Sequence, residues 1–268
     1  MTLEVRILGC GSSGGVPRIA EGGANWGDCD PGEPKNRRTR SSILMTSRSS
    51  EGETRVLVDT TPDLREQLIA GGIGRLDGVL ITHDHADQTH GLDDLRVVAM
   101  NLGHRVDLWT DRTALESLML KFRYCFEAPP GSGYPPILNA HELPEPFALF
   151  DIRGAGGAVP VLPFGVGHGH IRSLGFRFGH FAYCPDVDVL DDHAFEVLAG
   201  VECWIVDALR RRPHPSHAHL GRTLDWIARV GPKRAVLTNM HIDMDYQTLW
   251  RDLPPNVEPA YDGMRITL

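Results

Sequence analysis

Several side chains that can bind a metal ion fall close together in one short segment. The segment LITHDHADQTHGLDD, residues 80–94, contains His83, His85, Asp87 and His90. Neutral imidazole suits zinc and other borderline divalent ions, and the two imidazoles of an H-x-H pattern can turn towards one point from a bent loop. Gln88 interrupts the cluster. The segment indicates a metal site, and residues elsewhere in the chain are needed to complete it.

The residues that could complete the site stand where predicted strands end. The runs SSILMTS, TRVLVDT and LDGVLIT have the apolar character of strands, and ligand-type residues end such runs along the whole chain. An α/β scaffold brings distant strand ends to one edge, so we expect these side chains to gather there. A purely structural role at a strand end is the alternative for Asp59 and Asp207. The candidates are Asp59 in VLVD, His168 in GVGHGH, Asp186 in AYCPD and Asp207 in WIVD.

Composition limits the class of protein. The 268 residues are 41% hydrophobic and 23% charged, with a net charge of −8. The negative net charge argues against binding of nucleic acid by a broad positively charged surface. No apolar run approaches the ~20 residues of a membrane span, and the N-terminus lacks the pattern of a signal peptide, so we expect a cytoplasmic protein without membrane contact. Predicted strands alternate with predicted helices such as TPDLREQLIAGGI, which favours a layered α/β sandwich.

The motifs resemble those of a known superfamily. THDHADQTHG is similar to the H-x-H-x-D-H signature of the metallo-β-lactamase superfamily. With GCGSSGGVPR before it and HGHIRSLGFRFG, AYCPDVD and YDGM after it, the order of motifs resembles that of the superfamily's phosphoribosyl 1,2-cyclic phosphate phosphodiesterase branch. The resemblance covers nearly the whole chain. It implies a single α/β domain over residues 1–268, built as a four-layer αβ/βα sandwich with the site at one edge of its sheets.

The same resemblance implies a set of ligands for one or two divalent ions, zinc or manganese or both. His83, His85 and His168 would bind the first ion, and Asp186 would bridge to a second ion. Asp87 would bind the second ion and take part in catalysis. Asp59 would orient the loop that carries the ligands without binding the ion itself.

The chain departs from the family pattern at two positions, and both belong to the implied second metal. Gln88 replaces the last histidine of the signature, and Asn239 replaces the histidine of a late TH pair. A carboxamide oxygen is a harder and weaker ligand than imidazole, so the second site should lose zinc affinity and then hold manganese or magnesium, or stay empty. His90 and His241, each two positions beyond a substituted one, are alternative sources of an imidazole.

The implied chemistry is hydrolysis of a phosphodiester. A divalent ion lowers the pKa of bound water from 15.7 to roughly 7–9 and so supplies hydroxide near neutrality. His217 in PSHAHL aligns with the family histidine that contacts substrate phosphate and can act as a general acid. Ser13 and His214 are further candidates for contact with phosphate. The run Arg210, Arg211 and Arg212 is either a phosphate clamp or a solvated face.

The sequence therefore favours a metal-dependent phosphodiesterase that hydrolyses a small cyclic or nucleotide-like phosphodiester. Its partner would be a small phosphorylated substrate; nucleic acid is disfavoured because the chain is acidic, and a homodimer is compatible with the sequence. The alternative is a protein of the same fold that binds a nucleotide or phosphate, or assists a biosynthetic pathway, with an eroded second metal site and little turnover.

Overall fold

The computed structural model describes residues 2–268. Its strands in chain order are β1 (Thr2–Gly9), β2 (Arg18–Ala20), β3 (Gly23–Asn25), β4 (Ser42–Ser49), β5 (Gly52–Val58), β6 (Gly78–Leu80), β7 (Val106–Thr110), β8 (Leu138–Glu142), β9 (Phe150–Gly154), β10 (Gly157–His168), β11 (Ile171–Phe178), β12 (Phe181–Cys184), β13 (Cys203–Asp207), β14 (Arg234–Thr238), β15 (Val257–Pro259) and β16 (Arg265–Thr267). Its α-helices are α1 (Leu64–Gly71), α2 (Ala86–Thr89), α3 (Leu95–Leu102), α4 (Arg112–Lys121), α5 (Arg123–Phe126), α6 (Asp192–Leu198), α7 (Leu220–Val230) and α8 (Tyr246–Asp252).

Within residues 2–268, the strands form two large mixed sheets and a small hairpin of β2 and β3. The first sheet has the order β16-β1-β4-β5-β6-β7-β8, and the second has the order β15-β14-β13-β12-β11-β10-β9. Strands β5 to β8 are parallel in the first sheet, and β12 to β15 are parallel in the second. Helices connect these parallel strands, so the predicted α/β class is confirmed.

The chain divides into two compact units. The first contains the residues up to Arg6 together with Ser42–Pro160 and Arg265–Thr267. The second contains Ile7–Ser41, Val161–Met264 and Leu268. The expectation of a single domain over residues 1–268 stays a prediction.

In the first unit, the parallel order of β5 and β6 brings two candidate residues to the same sheet edge. The last three residues of β5, Val56–Val58, and the residues of β6 are buried and apolar, as strands covered on both faces should be. Asp59 follows the last residue of β5, and the segment that leads to His83 follows β6. The carboxyl ends of parallel strands meet at one edge, which places these residues as neighbours.

The second unit repeats this arrangement with more strands. Strand β10 is antiparallel to β11, and β11 is antiparallel to β12, so β10 runs in the same direction as β12, β13 and β14. All of these strands therefore end at one edge. The residues at or just beyond those ends are His168, Asp186, Asp207 and Asn239.

Local details differ from the sequence pattern at two helices. Helix α1 begins at Leu64, after Asp63, rather than at Thr61, the first residue of the predicted segment TPDLREQLIAGGI; Thr61 Oγ1 accepts a hydrogen bond from the Asp63 amide and donates one to Gln67. The segment RTALESLMLKFRYCF, whose apolar residues have helical spacing, forms two helices, α4 and α5, which meet at the non-helical Phe122. In the described part of the chain, no helix is long and apolar enough to cross a bilayer.

A half-buried carboxylate holds the first glycine-rich turn of the second unit. Asp262 Oδ1 accepts hydrogen bonds from the amide and thiol of Cys10, and its Oδ2 accepts from the amide and hydroxyl of Thr39. Burial raises the pKa of Asp262 to about 6, although these hydrogen bonds act in the opposite direction. The folded protein therefore holds a proton on this carboxyl at a pH where the unfolded chain has released it.

This difference in proton binding predicts a pH dependence of stability. The contribution of Asp262 is fully present below the unfolded pKa of about 3.9 and is lost as the pH rises through about 6, which amounts to about 3 kcal/mol. The difference in unfolding free energy between wild type and Asp262→Asn should shrink by about 2 kcal/mol of this from pH 4 to pH 7. Urea unfolding in the presence of EDTA measures it, and Asp225→Asn, at an exposed position, is the control. A constant difference would contradict the raised pKa.

Candidate functional site

In the first unit, a buried carboxylate orients the first histidine of the H-x-H pair through a threonine. Asp59 Oδ1 accepts hydrogen bonds from the Thr82 amide at 2.8 Å and from Thr82 Oγ1 at 3.0 Å. Because the single hydroxyl proton of Thr82 goes to the carboxylate, Thr82 Oγ1 accepts from His83 Nδ1 at 3.0 Å. That bond assigns the Nδ1 proton and leaves the lone pair of His83 on Nε2, the arrangement expected of a metal-ligating imidazole.

Asp59 itself is fully buried and has a left-handed backbone, with φ of 67°. Aspartate is among the side chains that tolerate this conformation best. Burial raises the pKa of Asp59 well above its usual value; the hydrogen bonds from Thr82 lower it, and the charge of Asp87 raises it further. The contact through Thr82 supports the expectation that Asp59 orients the ligand loop.

The remaining candidates of the first unit lie around the short helix α2. His85 precedes the helix, is exposed, and has its ring centroid 4.6 Å from that of His83. Asp84, between the two histidines, is held by Ser117 and Lys121 of α4. Asp87 is half-buried in the first turn of α2, Gln88 is buried beside it, and exposed His90 packs edge-on against Phe122.

In the second unit, His168 is oriented by a backbone carbonyl. His168 is the last residue of β10 and is 3% exposed, and its Nδ1 lies 2.6 Å from the carbonyl oxygen of Ser216. A carbonyl oxygen can only accept, so His168 Nδ1 carries the proton and Nε2 carries the lone pair. His83 and His168 therefore both present Nε2 for coordination.

Asp186 and Asn239 form a hydrogen-bonded pair beside His168. Asn239 Nδ2 donates to Asp186 Oδ1 at 3.1 Å and to the carbonyl oxygen of Pro185 at 2.9 Å. The carbonyl partner identifies the atom facing Asp186 as the amide nitrogen, which cannot bind a metal ion. Asn239 also has a left-handed backbone, with φ of 61°. The Asn239 amide thus presents a hydrogen-bond donor to the Asp186 carboxylate, at a position where the resemblance implies a histidine.

A histidine–aspartate pair completes this cluster. His217 Nδ1 lies 2.8 Å from Asp207 Oδ2 and 3.8 Å from Asp186 Oδ1. Asp207 is fully buried and also accepts from the Val187 amide. Burial raises the pKa of Asp207, and the positive charge and hydrogen bond of His217 oppose that shift. Asp207 therefore has a specific partner, His217, in addition to its place at the end of a strand.

The other candidates of the second unit have contacts of their own. His214 has its ring 5.1 Å from that of His217, and its pKa is lowered by burial and by the nearby charges of His217 and Arg210. His241 Nδ1 lies 3.2 Å from Asp243. Ser13 is exposed in the glycine-rich turn. His219, by contrast, caps helix α7 by accepting from the Arg222 amide.

The residues of the second unit fit a divalent metal ion. One ligand atom from each of His168, Asp186 and His217 lies within 4.8 Å of the other two. Two imidazoles and one carboxylate are a donor set that zinc and manganese both accept. Sequence patterns did not identify Thr82 or Ser216, because each acts through a hydrogen bond that orients another residue rather than as a ligand.

Comparisons with known proteins agree on one kind of fold. The family model described as a beta-lactamase superfamily domain matches residues 54–242. Coenzyme PQQ synthesis protein B of Pseudomonas fluorescens is 26% identical over 317 residues, which cover 98% of this chain and 99% of that protein. The crystal structure of a diphosphatase from the PhnP family superimposes with a TM-score of 0.86 at 30% identity, covering 100% of this chain and 98% of that one.

A further relative differs in length. The octanoyltransferase of Porphyromonas gingivalis is 30% identical over 261 residues, which cover 96% of this chain. The matched part of this chain spans 50% of the length of that relative.

The link from Asp59 to His83 predicts the effect of removing one hydroxyl. Thr82→Val keeps the shape of the side chain and abolishes both of its hydroxyl contacts, so zinc affinity should fall about 10–100-fold. Competition with a chelating dye measures the affinity. Thr110→Val is the matched control, because Thr110 is equally buried and its hydroxyl donates to the Ile81 carbonyl. An equal loss of affinity in both variants would show that the Asp59 link does not orient His83.

The two amide substitutions predict the zinc content. Wild type should bind one zinc ion tightly and a second ion weakly or not at all, since amides replace both imidazoles of the implied second site. The double variant Gln88→His with Asn239→His should retain a further zinc equivalent after equilibrium dialysis, measured by elemental analysis. Asn101→His, at an exposed asparagine, controls for an added surface histidine. Two equally tight zinc ions in wild type would contradict the assignment.

Proposed function

Because the chain belongs to the metallo-β-lactamase superfamily, we propose that it is a metal-dependent phosphodiesterase acting on a small cyclic or nucleotide-like phosphodiester. The observation that carries this proposal is the position of His217. A buried aspartate holds its Nδ1 at 2.8 Å, and its ring lies 4.6 Å from that of the candidate ligand His168. A proton-transfer group thus lies beside a candidate metal-binding group on one sheet edge.

The proposed metal ligands follow from the resemblance to the family. His83, His85, His168 and Asp186 are proposed for the first ion, and Asp87 for a weaker second ion, with Asp87 also taking part in catalysis. Zinc and manganese are the proposed ions. A bound divalent ion supplies a Lewis acid for the phosphoryl group and lowers the pKa of a water molecule. Asp59 acts on the His83 imidazole through Thr82, and Asp207 acts on the His217 imidazole directly.

His217 is proposed to be the general acid or the group that contacts phosphate. Asp207 accepts a hydrogen bond from His217 Nδ1, so Nδ1 keeps its proton. Nε2 is therefore the atom that can release a proton to the leaving oxygen or donate to a phosphate oxygen. Asn239 Nδ2 lies 3.2 Å from His217 Nδ1 and borders the same ring. His214 lies on the other side and is a candidate for a further phosphate contact, as is Ser13.

The substrate class has support from the comparisons. A chain of similar length and fold is a diphosphatase of the PhnP family, and this chain is 30% identical to it. Both a cyclic phosphodiester and a nucleotide-like diphosphate present a phosphorus atom with a leaving oxygen, so His217 could serve either. We place the protein in the cytoplasm as part of this proposal, with a small phosphorylated molecule as its substrate.

A second candidate function is that of an accessory protein with little turnover. The observation that favours it is the Asn239 amide, which donates to Asp186 where a family ligand would stand. The buried Gln88 is the second such substitution. Coenzyme PQQ synthesis protein B, the name of a relative at 26% identity, also supports a biosynthetic role.

Metal analysis combined with turnover separates the two functions. Protein reconstituted with zinc or with manganese should hydrolyse bis(p-nitrophenyl) phosphate, and His168→Ala should lose both metal and activity. His170→Ala, a neighbouring exposed histidine, is the control. Metal-loaded protein without turnover of this diester or of a panel of cyclic and nucleotide diesters would favour the accessory function.

Removing His217 should slow the chemical step. As a general acid it would contribute about 10²–10⁴-fold, so His217→Ala should lower kcat by that factor. The defect should be larger for a substrate with an alkoxide leaving group than with nitrophenolate, because nitrophenolate needs less protonation. Steady-state kinetics with both substrates and elemental analysis of the variant provide the measurements.

Other outcomes of that experiment assign different roles to His217. A raised KM with unchanged kcat would make it a phosphate-positioning group. A loss of bound metal would make it a ligand, as its distance from Asp186 and His168 permits. Unchanged kinetics with both substrates would remove His217 from the site.

A further inference from the structure

In the first unit, the chain bends between the two histidines of the H-x-H pair, and the residue at the bend is Asp84. The ring centroids of His83 and His85 lie 4.6 Å apart with an interplanar angle of 73°, so the two imidazoles face a common side of the loop. The Asp84 side chain instead points to helix α4. The conformation of this single residue therefore sets the direction of one imidazole relative to the other.

Helix α4 holds Asp84 at both its side chain and its backbone. Ser117 Oγ donates to Asp84 Oδ2 at 2.5 Å, and Lys121 Nζ donates to the same oxygen at 2.8 Å and to the Asp84 carbonyl oxygen at 3.0 Å. Ser117 and Lys121 are four residues apart, so they lie on one face of the helix. Because its carboxylate and its carbonyl are both bound, Asp84 cannot turn without breaking these hydrogen bonds.

Helix α4 is itself fixed to the sheet from which the ligand loop emerges. The Asp111 side chain caps its first turn, and Leu118, which lies between the two residues that contact the loop, is fully buried. Thr110, the last residue of β7, donates to the Ile81 carbonyl oxygen at 3.0 Å, just beyond the end of β6. The bend at Asp84 is thus anchored to a helix whose own position is set by the strands on which the loop depends.

The ion pair of Asp84 and Lys121 is more shielded than a comparable pair elsewhere in the chain. The exposed fractions of the side chains are 40% for Lys121 and 29% for Asp84, against 75% for Lys233 and 49% for Glu202, whose charged atoms are also 2.8 Å apart. Exposed pairs contribute little, because water and salt screen them and both side chains remain mobile. The pair of Lys233 and Glu202 is therefore a matched reference for an ion pair without a role at the site.

We propose that Asp84 is a positioning residue of the metal site, and that Ser117 and Lys121 act through it to keep the imidazoles of His83 and His85 in the direction that binding an ion requires. The inference rests on the ligands of the proposed phosphodiesterase, and not on the reaction itself. A loop that is already held in its binding conformation loses little conformational freedom when an ion binds, so the restraint raises the affinity for the ion.

The positive charge of Lys121 distinguishes a restraint from a simple charge effect. An ammonium group repels a metal cation, so removal of its charge alone would strengthen metal binding. Removal of the restraint has the opposite effect. Lys121→Met should therefore weaken zinc binding by about 3–10-fold, which is less than the roughly 10–100-fold effect of groups that contact a ligand directly, because Lys121 acts through Asp84.

Competition with a chelating dye measures the zinc affinity, and the absorption spectrum of Co²⁺-substituted protein reports the coordination geometry. Lys121→Met should change both, and Lys121→Arg should restore most of the affinity. Ser117→Ala should lower the affinity without any change of charge. Asp84→Asn combined with Lys121→Met should bind zinc no more weakly than the weaker single variant, since both changes remove the same restraint. Lys233→Met, which breaks the matched reference pair, should change neither affinity nor spectrum.

Zinc affinity that is unchanged or higher in Lys121→Met would overturn the proposal, as would an equal loss of affinity in Lys233→Met. Thermal unfolding in EDTA checks that each variant is folded; if Lys121→Met does not fold, Ser117→Ala decides, since unchanged affinity in that variant would also overturn the proposal. The expected loss of affinity in a protein without turnover would support the positioning role while removing the phosphodiesterase. Turnover of bis(p-nitrophenyl) phosphate with a zinc affinity independent of Ser117 and Lys121 would overturn the positioning role alone.

Discussion

The hydrogen bond between Asp207 and His217 is the interaction on which the second unit's site depends. A carboxylate at zero exposure needs donors, because desolvation of an unpaired charge is strongly unfavourable. Asp207 obtains them from His217 Nδ1 and from the Val187 amide, and the Ala218 amide donates to the Val187 carbonyl at 2.6 Å. The loops that carry Asp186 and His217 are thereby tied together.

The first unit also contains a buried carboxylate that needs hydrogen-bond donors, and it obtains them in another way. Asp59 is as buried as Asp207, yet it reaches its histidine through the hydroxyl of Thr82 rather than directly. In both units a carboxylate from one strand end determines the direction of an imidazole on a neighbouring loop. Preorganised ligands lose little conformational freedom when they bind an ion, so such contacts raise affinity without adding a ligand.

Gln88 and Asn239 place neutral amides where the resemblance implies imidazoles, which changes the electrostatics of the site more than its shape. Asn239 occupies a left-handed position at a strand end, as Asp59 does, and its NH₂ group faces Asp186. The dipole of the Asn239 amide supplies positive potential to the Asp186 carboxylate.

The sequence by itself determined the α/β class and the strand ends that carry ligand-type residues, because apolar runs and the glycines and aspartates that follow them are local signals. It also identified His83, His168, Asp186 and His217 as candidates through their motifs. The start of α1 depended on the hydrogen bonds of the Thr61 hydroxyl, which the pattern does not contain, and the break at Phe122 is a change of backbone conformation that the pattern did not indicate.

Only the tertiary structure decided which atoms face each other. His168 is oriented by the Ser216 carbonyl 48 positions away, and Asn239 donates to Asp186 across 53 positions. The partner of Asp207 and the nitrogen that Asn239 presents both depend on how separate loops meet beyond the strand ends. A sequence pattern records periodicity along one element, whereas these contacts depend on the order of strands in a sheet, which brings residues distant in the chain to a single edge.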